Sequence, residues 1–572
     1  MKLKKVIIQN FRSIVDDEVI FDDFTFFVGK NNYGKSNYLR AIDHLLSFGK
    51  TYSNIAEIQN NKDKPIIIDG WFEGVKDFTP QLKESKHKEV VEKLIDNDGL
   101  IRLRLTINTD GQAETLLVDS VKNETVNPTG WTTNCKKLFP ETIFVLATAD
   151  TADELQEKAT TALSKIKKEV MQQFFTSLSS KIENAFEQID KFLHGEEKDR
   201  SDDLKKLEKD FADEMMGEFS TVKPSIKFTL PDSSFIGKGM KINLYDGFHD
   251  CDIEQKGNGL QRTALFALIR LLSKYNATTQ TKPAPIFLIE ELEAFLHPSA
   301  QKRLAESIED MAGKYQTIAT THSPFVLTDK LLGGYRKIFR NEKDGSKCYG
   351  PQKNYDEFQK KDYNVVKNSL LHTGNLISLF SDIVVIVEGK EDSGFYPAIL
   401  ELLKDKEIGL ISFVGTVGGG NSNFHVSYNF FKLMGFKKVF VICDLDCLFD
   451  TNFKELLKIV SFDSNFIDDF RKDVGFTNKG QPGIDFVLSN LTKIDTKKLN
   501  DKIDELGKVN IFVLKKGTPE NYYTDDFKNK NDGRSIKKSC EFLTEKKELD
   551  NIEELENIMK SIFISEDSNI FL

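Results

Sequence analysis

The feature that most restricts the fold is an unbroken run of β-branched residues, 383–387, which is followed directly by Glu388. Such a run predicts a strand that is buried on both faces of a parallel sheet. A second apolar run, 438–443, is followed by Asp444 and Asp446. Alternate residues of a strand share a face, so we expect these two aspartates to point the same way. The carboxyl ends of parallel strands meet at one edge of a sheet, so the chain should gather its acids there.

Two further acids belong to the same prediction. Asp392 stands four residues after Glu388, where a helix is expected to begin, and Glu520 follows a third predicted strand at 509–514. Clustered carboxylates suit hard cations such as Mg²⁺, which prefer oxygen ligands. A strand that ends in Glu-Gly, paired with a later strand that ends in Asp-x-Asp, resembles the TOPRIM domain of topoisomerases, primases and a class of nucleases. In this pattern, the predicted metal ligands are Glu388, Asp392, Asp444, Asp446 and Glu520.

A phosphate loop lies near the start of the sequence. Residues 29–36 read G-x-x-x-x-G-K-S, with a predicted strand at 24–28 before them and an amphipathic helix at 38–46 after them. Glycines let backbone N–H groups approach phosphate, and the helix N-terminus adds positive potential. The lysine should reach the β- and γ-phosphates, and the serine hydroxyl should ligate Mg²⁺. The residues predicted to bind nucleotide here are Gly29, Asn31, Asn32, Gly34, Lys35 and Ser36.

A Walker B pattern follows much later in the chain. The apolar run 286–289 predicts a buried strand, and Glu290 and Glu291 come directly after it. In ABC-type ATPases, which this order of motifs resembles, the first acid is commonly aspartate and holds Mg²⁺, and the second polarises the attacking water. The glutamate at the first position can still reach the ion through a water molecule. Glu293 is interpreted as a solvated or structural charge.

Two more segments complete the resemblance to an ABC-type ATPase. Gly257 and Gly259 stand directly before a helix predicted at 263–272, and His322 ends the strand-like run 317–321. A glycine turn at a helix N-terminus can hold a phosphate, although either signal alone is more often structural. The resemblance implies that the glycine turn is a signature loop that contacts the γ-phosphate held by the other subunit. It also implies that His322 senses that phosphate.

The fold class predicted from these motifs is α/β: an ABC/SMC/RecF-type ATPase head with a helical insertion, followed by a C-terminal TOPRIM domain. Residues 149–216 are charged and amphipathic, which fits either a dimerising insertion or helices that pack on their own head. Residues 343–351 are interpreted as a turn. The predicted boundaries are 1–148 and 217–354 for the head, 149–216 for the insertion, 355–380 for the connection, and 381–572 for the TOPRIM domain with an insertion at 447–508.

An ABC-type head followed by a TOPRIM domain resembles the OLD (overcoming lysogenization defect) family of nucleases. The Gabija nuclease subunit and retron-associated OLD effectors have a similar layout. The resemblance implies a cytoplasmic, ATP-regulated endonuclease that cleaves DNA with Mg²⁺ or Mn²⁺, forms a homodimer or higher homo-oligomer, and acts in defence against phage. A defence-system partner protein, or retron RNA or DNA, is a further candidate partner. The family's basic active-site residue falls at Lys546 or Lys547.

The hypothesis for cleavage uses two ions. One would be held by Glu388, Asp444 and Asp446, and a second by Asp392 and Glu520, about 4 Å away. Together they would activate water and stabilise the leaving oxygen, without a covalent enzyme intermediate. A nearby lysine would neutralise charge in the transition state.

Charge and hydropathy limit the alternatives. The formal net charge is −10, so any nucleic-acid contact must use a local basic patch. No apolar run approaches the ~18 residues that span a membrane. Topoisomerase and primase readings lack a nucleophilic tyrosine domain and a zinc module. An ATP-gated scaffold with a vestigial metal site, and an RNA-cleaving TOPRIM nuclease, remain as alternatives.

Overall fold

The structure is a computed structural model that describes most of the chain. The described residues are 1–48, 54–82, 85–127, 136–147, 202, 205–206, 243–245, 250–252, 255–275, 283–311, 314–327, 333–350, 375–389, 392–403, 411–416, 423–478, 482–530 and 545–564. The insertion predicted at 149–216 lies outside the described residues except for 202 and 205–206. Its role in dimerisation therefore stays a prediction.

The strands and helices are named here in chain order. The strands are β1 (Lys2–Phe11), β2 (Ile14–Ile20), β3 (Phe24–Val28), β4 (Ile66–Glu73), β5 (Leu100–Ile107), β6 (Ala113–Asp119), β7 (Glu124–Val126), β8 (Thr142–Val145), β9 (Asn243–Tyr245), β10 (Asp250–Asp252), β11 (Ile286–Ile289), β12 (Thr317–Thr320), β13 (Tyr335–Asn341), β14 (Gly345–Tyr349), β15 (Ile383–Val387), β16 (Ile411–Gly415), β17 (Lys438–Cys443) and β18 (Ile511–Val513). The α-helices are α1 (Lys35–Leu46), α2 (Ser85–Leu94), α3 (Asn258–Tyr275), α4 (Pro298–Met311), α5 (Asp392–Leu403), α6 (Phe424–Leu433), α7 (Phe453–Ile459), α8 (Phe466–Asp473), α9 (Ile484–Asn490), α10 (Thr496–Gly507), α11 (Asp525–Lys530) and α12 (Ile552–Ile564).

The chain divides into two units. The first comprises Met1–Thr142, Thr281–Glu293 and Gln301–Leu572, and the second comprises Ile143–Gln280 and Ala294–Ala300. Within the second unit, β9 and β10 form an antiparallel pair. No helix among the described residues combines the length and the apolar character that crossing a bilayer requires.

A large mixed sheet dominates the N-terminal part of the first unit. Its strands lie in the order β7-β6-β5-β4-β1-β2-β14-β13-β3-β12-β11. The part from β13 to β11 is parallel, and Phe27 of β3 lies between Thr320 of β12 and Arg336 of β13. The part from β7 to β2 is antiparallel, and β5 alternates buried and half-buried residues. The carboxyl ends of β3, β11 and β12 therefore meet at one edge of the parallel part.

The prediction of a turn at 343–351 was wrong. Only the residues around Asp344 turn, and Gly345–Tyr349 form β14, which pairs with β13 and places a hairpin between β2 and β3. The partners that draw this segment into the sheet are far away in sequence. Asp17 Oδ2 accepts the Cys348 N–H at 2.8 Å, and Ser13 O accepts the Ser346 N–H at 2.7 Å.

The C-terminal part of the first unit contains a separate parallel sheet. Its order is β16-β15-β17-β18, so the two strands that the sequence analysis singled out, β15 and β17, are neighbours at its centre. Both are almost fully buried, because their β-branched and aromatic residues meet apolar side chains on each face. Helices α7 to α10 fill the predicted insertion between β17 and β18.

Candidate functional site

The phosphate loop has the geometry that its sequence predicts. Gly29 leaves β3 with φ +142°, and α1 begins at Lys35. A Cβ atom on Gly29 would lie 2.6 Å from Ile338 O, so only glycine fits against β13 there. The Lys35 ammonium donates to Gly29 O at 3.0 Å and to Lys30 O at 2.8 Å. Burial lowers the pKa of Lys35 to about 8, although the charges of Glu291 and Glu293 oppose the shift.

The β13–β14 hairpin braces the other residues of the loop. Arg340 donates to Asn32 O at 3.1 Å, and the Ser346 hydroxyl donates to Tyr33 O at 2.7 Å. Asn32 and Gly34 both have positive φ, at 63° and 89°, a conformation that is common in loops whose N–H groups bind anions. Asn31 lies within this turn and Ser36 in the first turn of α1, where a hydroxyl can face a bound phosphate and its cation.

The two acids after β11 have different partners. Glu290 is buried and its Oε1 lies 3.2 Å from the Arg40 guanidinium of α1. Glu291 has φ +43°, and its N–H donates to Thr320 Oγ1 at 2.9 Å. Arg40 is not among the residues predicted from motifs, but its position four residues after Ser36 puts it on the same face of α1. With this arginine beside it, Glu290 is held at the phosphate-loop helix.

Glu293 has a more definite role than the solvated or structural charge expected of it. Its carboxylate accepts the Thr321 hydroxyl at 2.6 Å and the His322 N–H at 2.5 Å. It therefore holds the turn that carries His322. Burial, with the charge of Lys35, lowers the pKa of His322 to about 4, so the imidazole is neutral near pH 7.

The predicted signature loop lies in the second unit. Helix α3 begins at Asn258, five residues before the predicted start, so Gly257 precedes the helix and Gly259 lies in its first turn. A Cβ atom on Gly259 would lie 2.9 Å from Phe295 O, whereas no described residue comes within 4 Å of a Cβ atom on Gly257. Gln261 Nε2 donates to Lys256 O at 2.7 Å, and this hydrogen bond links the two ends of the turn.

The structure brings the predicted acids together at the end of the second sheet. Glu388 follows β15, and Asp444 follows β17 as the residue that precedes a short 3₁₀ helix, Leu445–Phe449. One carboxylate oxygen from each of Glu388, Asp444 and Asp446 lies within 4.8 Å of the other two. The reason differs from the one predicted, because Asp446 sits in the 3₁₀ helix and not on the strand. The tight turn after β17 brings it back toward Asp444.

Asp392 and Glu520 flank this group. Asp392 is the first residue of α5, and its Oδ2 accepts the Gly389 N–H at 2.8 Å. Glu520 lies in the 3₁₀ helix Pro519–Tyr522, which follows β18. Burial, together with the charges of Glu388, Asp392, Asp446 and Glu520, raises the pKa of Asp444 to about 10. The other four acids are therefore close enough to act on Asp444 through their charge.

This donor set fits a hard divalent cation. Every candidate ligand is a carboxylate oxygen, which is the donor that Mg²⁺ and Mn²⁺ prefer. The pKa of Asp444 is raised first by burial and then by the negative charges of the neighbouring carboxylates. A divalent cation relieves the repulsion among these charges, whereas the apolar side chains around the strands cannot.

Lys546 and Lys547 form ion pairs within the C-terminal segment. Lys546 Nζ lies 2.6 Å from Glu556 Oε1, and Lys547 pairs with Glu545. Both side chains are largely exposed. The role of either lysine in cleavage stays a prediction.

Comparisons with known proteins agree with this division of motifs. A family described as AAA ATPase domain matches residues 1–327. A family described as the TOPRIM domain of overcoming lysogenization defect protein-like proteins matches residues 379–446, which include Glu388, Asp444 and Asp446. The Old nuclease of Escherichia phage P2 is 26% identical over 471 residues, which cover 80% of this chain and 80% of that protein.

Solved structures of Smc heads are also similar to this chain. One is an Smc head bound to the C-winged helix domain of ScpA, with a TM-score of 0.39, 16% identity, and coverage of 62% of this chain and 100% of that one. Another is an Smc head domain with an extended coiled coil, bound to the C-terminal domain of ScpA from Pyrococcus furiosus. It has a TM-score of 0.37, 17% identity, and coverage of 62% of this chain and 98% of that one.

Proposed function

We propose that this chain is an ATP-regulated DNA endonuclease that depends on Mg²⁺ or Mn²⁺. The chain belongs to the AAA ATPase domain family and, with its TOPRIM domain, to the OLD family of nucleases. The observation that carries the proposal is the meeting of Glu388, Asp444 and Asp446 oxygens within 4.8 Å of one another. The strand-end position of these acids leaves their carboxylates at the sheet edge where α/β proteins bind ligands.

In the proposed cleavage site, Glu388, Asp444 and Asp446 would hold one divalent cation, and Asp392 with Glu520 would hold a second. Bound cations supply a nucleophilic hydroxide at neutral pH and stabilise charge on the leaving oxygen. The Gly389 N–H fixes the Asp392 carboxylate before any ion arrives, since the two are already hydrogen-bonded. Asp444 must give up its proton before it can act as a ligand, because its pKa is about 10.

The proposed nucleotide site uses residues of the head. Lys35 would exchange its bonds to Gly29 O and Lys30 O for bonds to the β- and γ-phosphates. Ser36 and Glu290 would hold the accompanying Mg²⁺, and Glu291 would orient the attacking water. A neutral His322 can accept or donate a hydrogen bond to that water or to the γ-phosphate.

We also propose the division of labour predicted from the sequence. Residues 1–148 and 217–354 form the ATPase head, 149–216 a dimerising insertion, 355–380 the connection, and 381–572 the TOPRIM domain with its insertion at 447–508. The chain would act as a homodimer or higher homo-oligomer in the cytoplasm, where DNA is its substrate. The OLD family resemblance supports a role in defence against phage. In that role, the partner of this chain would be either a defence-system protein or retron RNA or DNA.

The test is nicking of supercoiled plasmid in the presence of Mg²⁺ or Mn²⁺. Asp444→Ala is expected to abolish nicking because it removes a central ligand and leaves the strand intact. Asp473→Asn, a change at an exposed aspartate that ends α8, is the matched control and should nick at the wild-type rate. Full activity of Asp444→Ala would overturn the metal-site assignment. Cleavage of RNA in preference to DNA of matched sequence would move the substrate to the alternative class.

The defence role has its own test. Cells that express the wild-type chain should lower the plating efficiency of sensitive phages, and cells that express Asp444→Ala at an equal level should not. If wild type and Asp444→Ala protect equally, defence does not depend on cleavage, which would contradict the proposed defence role of the nuclease.

A further inference from the structure

A lysine of the phosphate loop reaches the residue that leads into the second sheet of the same unit. Lys30 follows Gly29, and its ammonium group forms an ion pair with Asp382, the residue directly before β15. The pair is well shielded from water, with 23% of the Lys30 side chain and 15% of the Asp382 side chain exposed. Tyr33 of the same loop also senses Asp382, since burial and the charge of that carboxylate raise the pKa of the phenol to about 12.

A second lysine, on β13, binds the backbone just before β15. Lys337 of β13 is buried, and its ammonium donates to Leu379 O at 2.7 Å and to Ser381 O. These carbonyls belong to the residues that lead into β15. Lys337 lies opposite Val28 of β3 in the parallel ladder, one residue before the phosphate loop begins.

Lys337 also contacts the residues that lead into β17. Its ammonium lies 4.1 Å from the centre of the Phe436 ring and 4.9 Å from that of Phe339. Phe436 stands two residues before β17, the strand that delivers Asp444. Lys30, Lys337 and Asp382, here called the charged cluster, therefore touch the starts of both strands whose ends carry the candidate metal ligands.

Short buried strands transmit a displacement along their length. β15 has five residues, so about 13 Å separates its first and last Cα atoms, at about 3.3 Å per residue. It is paired on both sides, with β16 and β17, and its side chains pack in a continuous core. A packed interior is not freely deformable, so a shift at Asp382 moves Glu388 rather than being absorbed between them.

We propose that the charged cluster couples the nucleotide state of the phosphate loop to the geometry of the metal site. Asp382 and Lys337 are positioning residues in this scheme, and Lys30 is the residue through which the loop acts on them. In this scheme, binding of triphosphate changes the conformation of the loop and hence the position of Lys30. The moved ammonium group either pulls Asp382 with it or breaks the ion pair. In both cases β15 shifts relative to β17. The coupling rests on the proposed function, because it gives that ATP regulation a structural route.

The alternative is that the charged cluster only fastens two sheets together. In that case, loss of the ion pair lowers stability and leaves the response to nucleotide unchanged. The two cases are separable, because a coupling free energy is measured as a ratio of activities with and without effector, whereas stability is measured by the melting temperature.

The experiment compares four proteins: wild type, Asp382→Asn, Lys30→Met, and the double variant. Each is assayed for plasmid nicking with and without ATP, and for melting temperature. Asp23→Asn, which removes a Lys2–Asp23 pair of 2.6 Å in the same unit, is the matched control. Asp382→Asn is expected to bring the ratio of nicking rates with and without ATP to near one, while Asp23→Asn keeps the wild-type ratio. The double variant should lose no more than either single variant, since the two residues act through each other.

A second readout does not require cleavage. Backbone hydrogen exchange across 383–388 should change when ATP is added to the Glu291→Gln protein, and this change should vanish when Asp382→Asn is added. If wild-type protein nicks nothing, the proposed function fails while the exchange measurement still tests the coupling. Retention of the full ATP effect by Asp382→Asn in both readouts, or additive losses in the double variant, would overturn the proposal.

Discussion

At the scale of single residues, Asp444 links the sequence pattern to the chemistry most directly. Burial and four neighbouring carboxylates act on it in the same direction, so its pKa rises from 3.8 to about 10. The folded, metal-free chain therefore keeps a proton on Asp444 that the unfolded chain releases near its ordinary pKa. Stability and metal affinity must both depend on pH through this one group.

The dependence of stability on pH has a definite sign. Between pH 3.8 and about 10 the folded state binds the extra proton, so the free energy of unfolding falls as pH rises. In EDTA, we expect the melting temperature of wild type to fall more between about pH 5 and about pH 9 than that of Asp444→Asn, which carries no titratable group there. If the melting temperatures of the two proteins fall equally with pH, the raised pKa of Asp444 is contradicted.

Metal binding should have the opposite dependence on pH. While the pH is below the pKa of Asp444, a cation that displaces one proton from that group binds about tenfold more tightly for each unit by which the pH rises. Titration of Mn²⁺ into nucleotide-free protein at several pH values measures the slope. Asp473→Asn should share the wild-type slope, and a slope of zero in wild type would show that Asp444 does not lose a proton to the ion.

The site residues divide into those that local sequence can predict and those that it cannot. Glu388 and Asp444 follow apolar runs, so the sequence alone places them at strand ends. Arg40 beside Glu290 and Glu293 beneath His322 depend on contacts between segments that are distant along the chain. Periodicity within one segment carries no information about such pairs.

At the scale of elements, the same distinction separates β3 from β14. The predicted and observed bounds of β3 agree, because its apolar run is flanked by polar residues on both sides. The strand β14 was read as a turn, because Lys343, Asp344 and Gly345 are typical of turns and its partners Ser13 and Asp17 lie more than 300 residues earlier. Helix α3 likewise extends beyond its predicted start, since asparagine and glycine in its first turn resemble a loop.

Gly435, in the turn between α6 and β17, allows a test of packing between elements. Its φ is +79°, and a Cβ atom would lie 2.3 Å from Tyr349 at the end of β14. Gly435→Ala should therefore lose about 1–2 kcal/mol through backbone strain and typically about 1–3 kcal/mol more through overpacking. Urea unfolding measures the loss.

Gly475 supplies the matched control for this substitution. Its φ is +74°, but no heavy atom of the described residues lies within 4 Å of the position that a Cβ atom would take. Gly475→Ala therefore shows the cost of strain alone. Equal losses in the two variants would mean that the contact with Tyr349 does not restrict position 435.

At the scale of the whole molecule, the residues predicted to act on ATP belong to two units of the chain. The phosphate loop, Glu290, Glu291 and His322 lie in the first unit, and the signature-like turn at Gly257 and Gly259 lies in the second. In ABC-type ATPases, which the motifs resemble, such a turn acts on nucleotide held by another subunit. The proposed homodimer follows from that resemblance.

The oligomer should respond to trapped nucleotide. Glu291→Gln is expected to bind ATP but to turn it over roughly 10²-fold more slowly or worse, because the base that orients water is lost. Light scattering should then find this variant as a dimer or larger assembly when ATP is present. Lys35→Ala, which weakens phosphate binding, is the control, and its mass should not change when ATP is added. Turnover at the wild-type rate, or an unchanged mass with bound ATP, would contradict the assignment.

The interleaving of β13 and β14 between β2 and β3 bears on how the protein is made. During synthesis on the ribosome, the first three strands emerge long before the hairpin that separates them. Until residue 349 has left the exit tunnel, the edges of β2 and β3 stay available to pair with another nascent chain. A fragment that stops at residue 327, where the ATPase family match ends, would keep those edges open permanently and should aggregate.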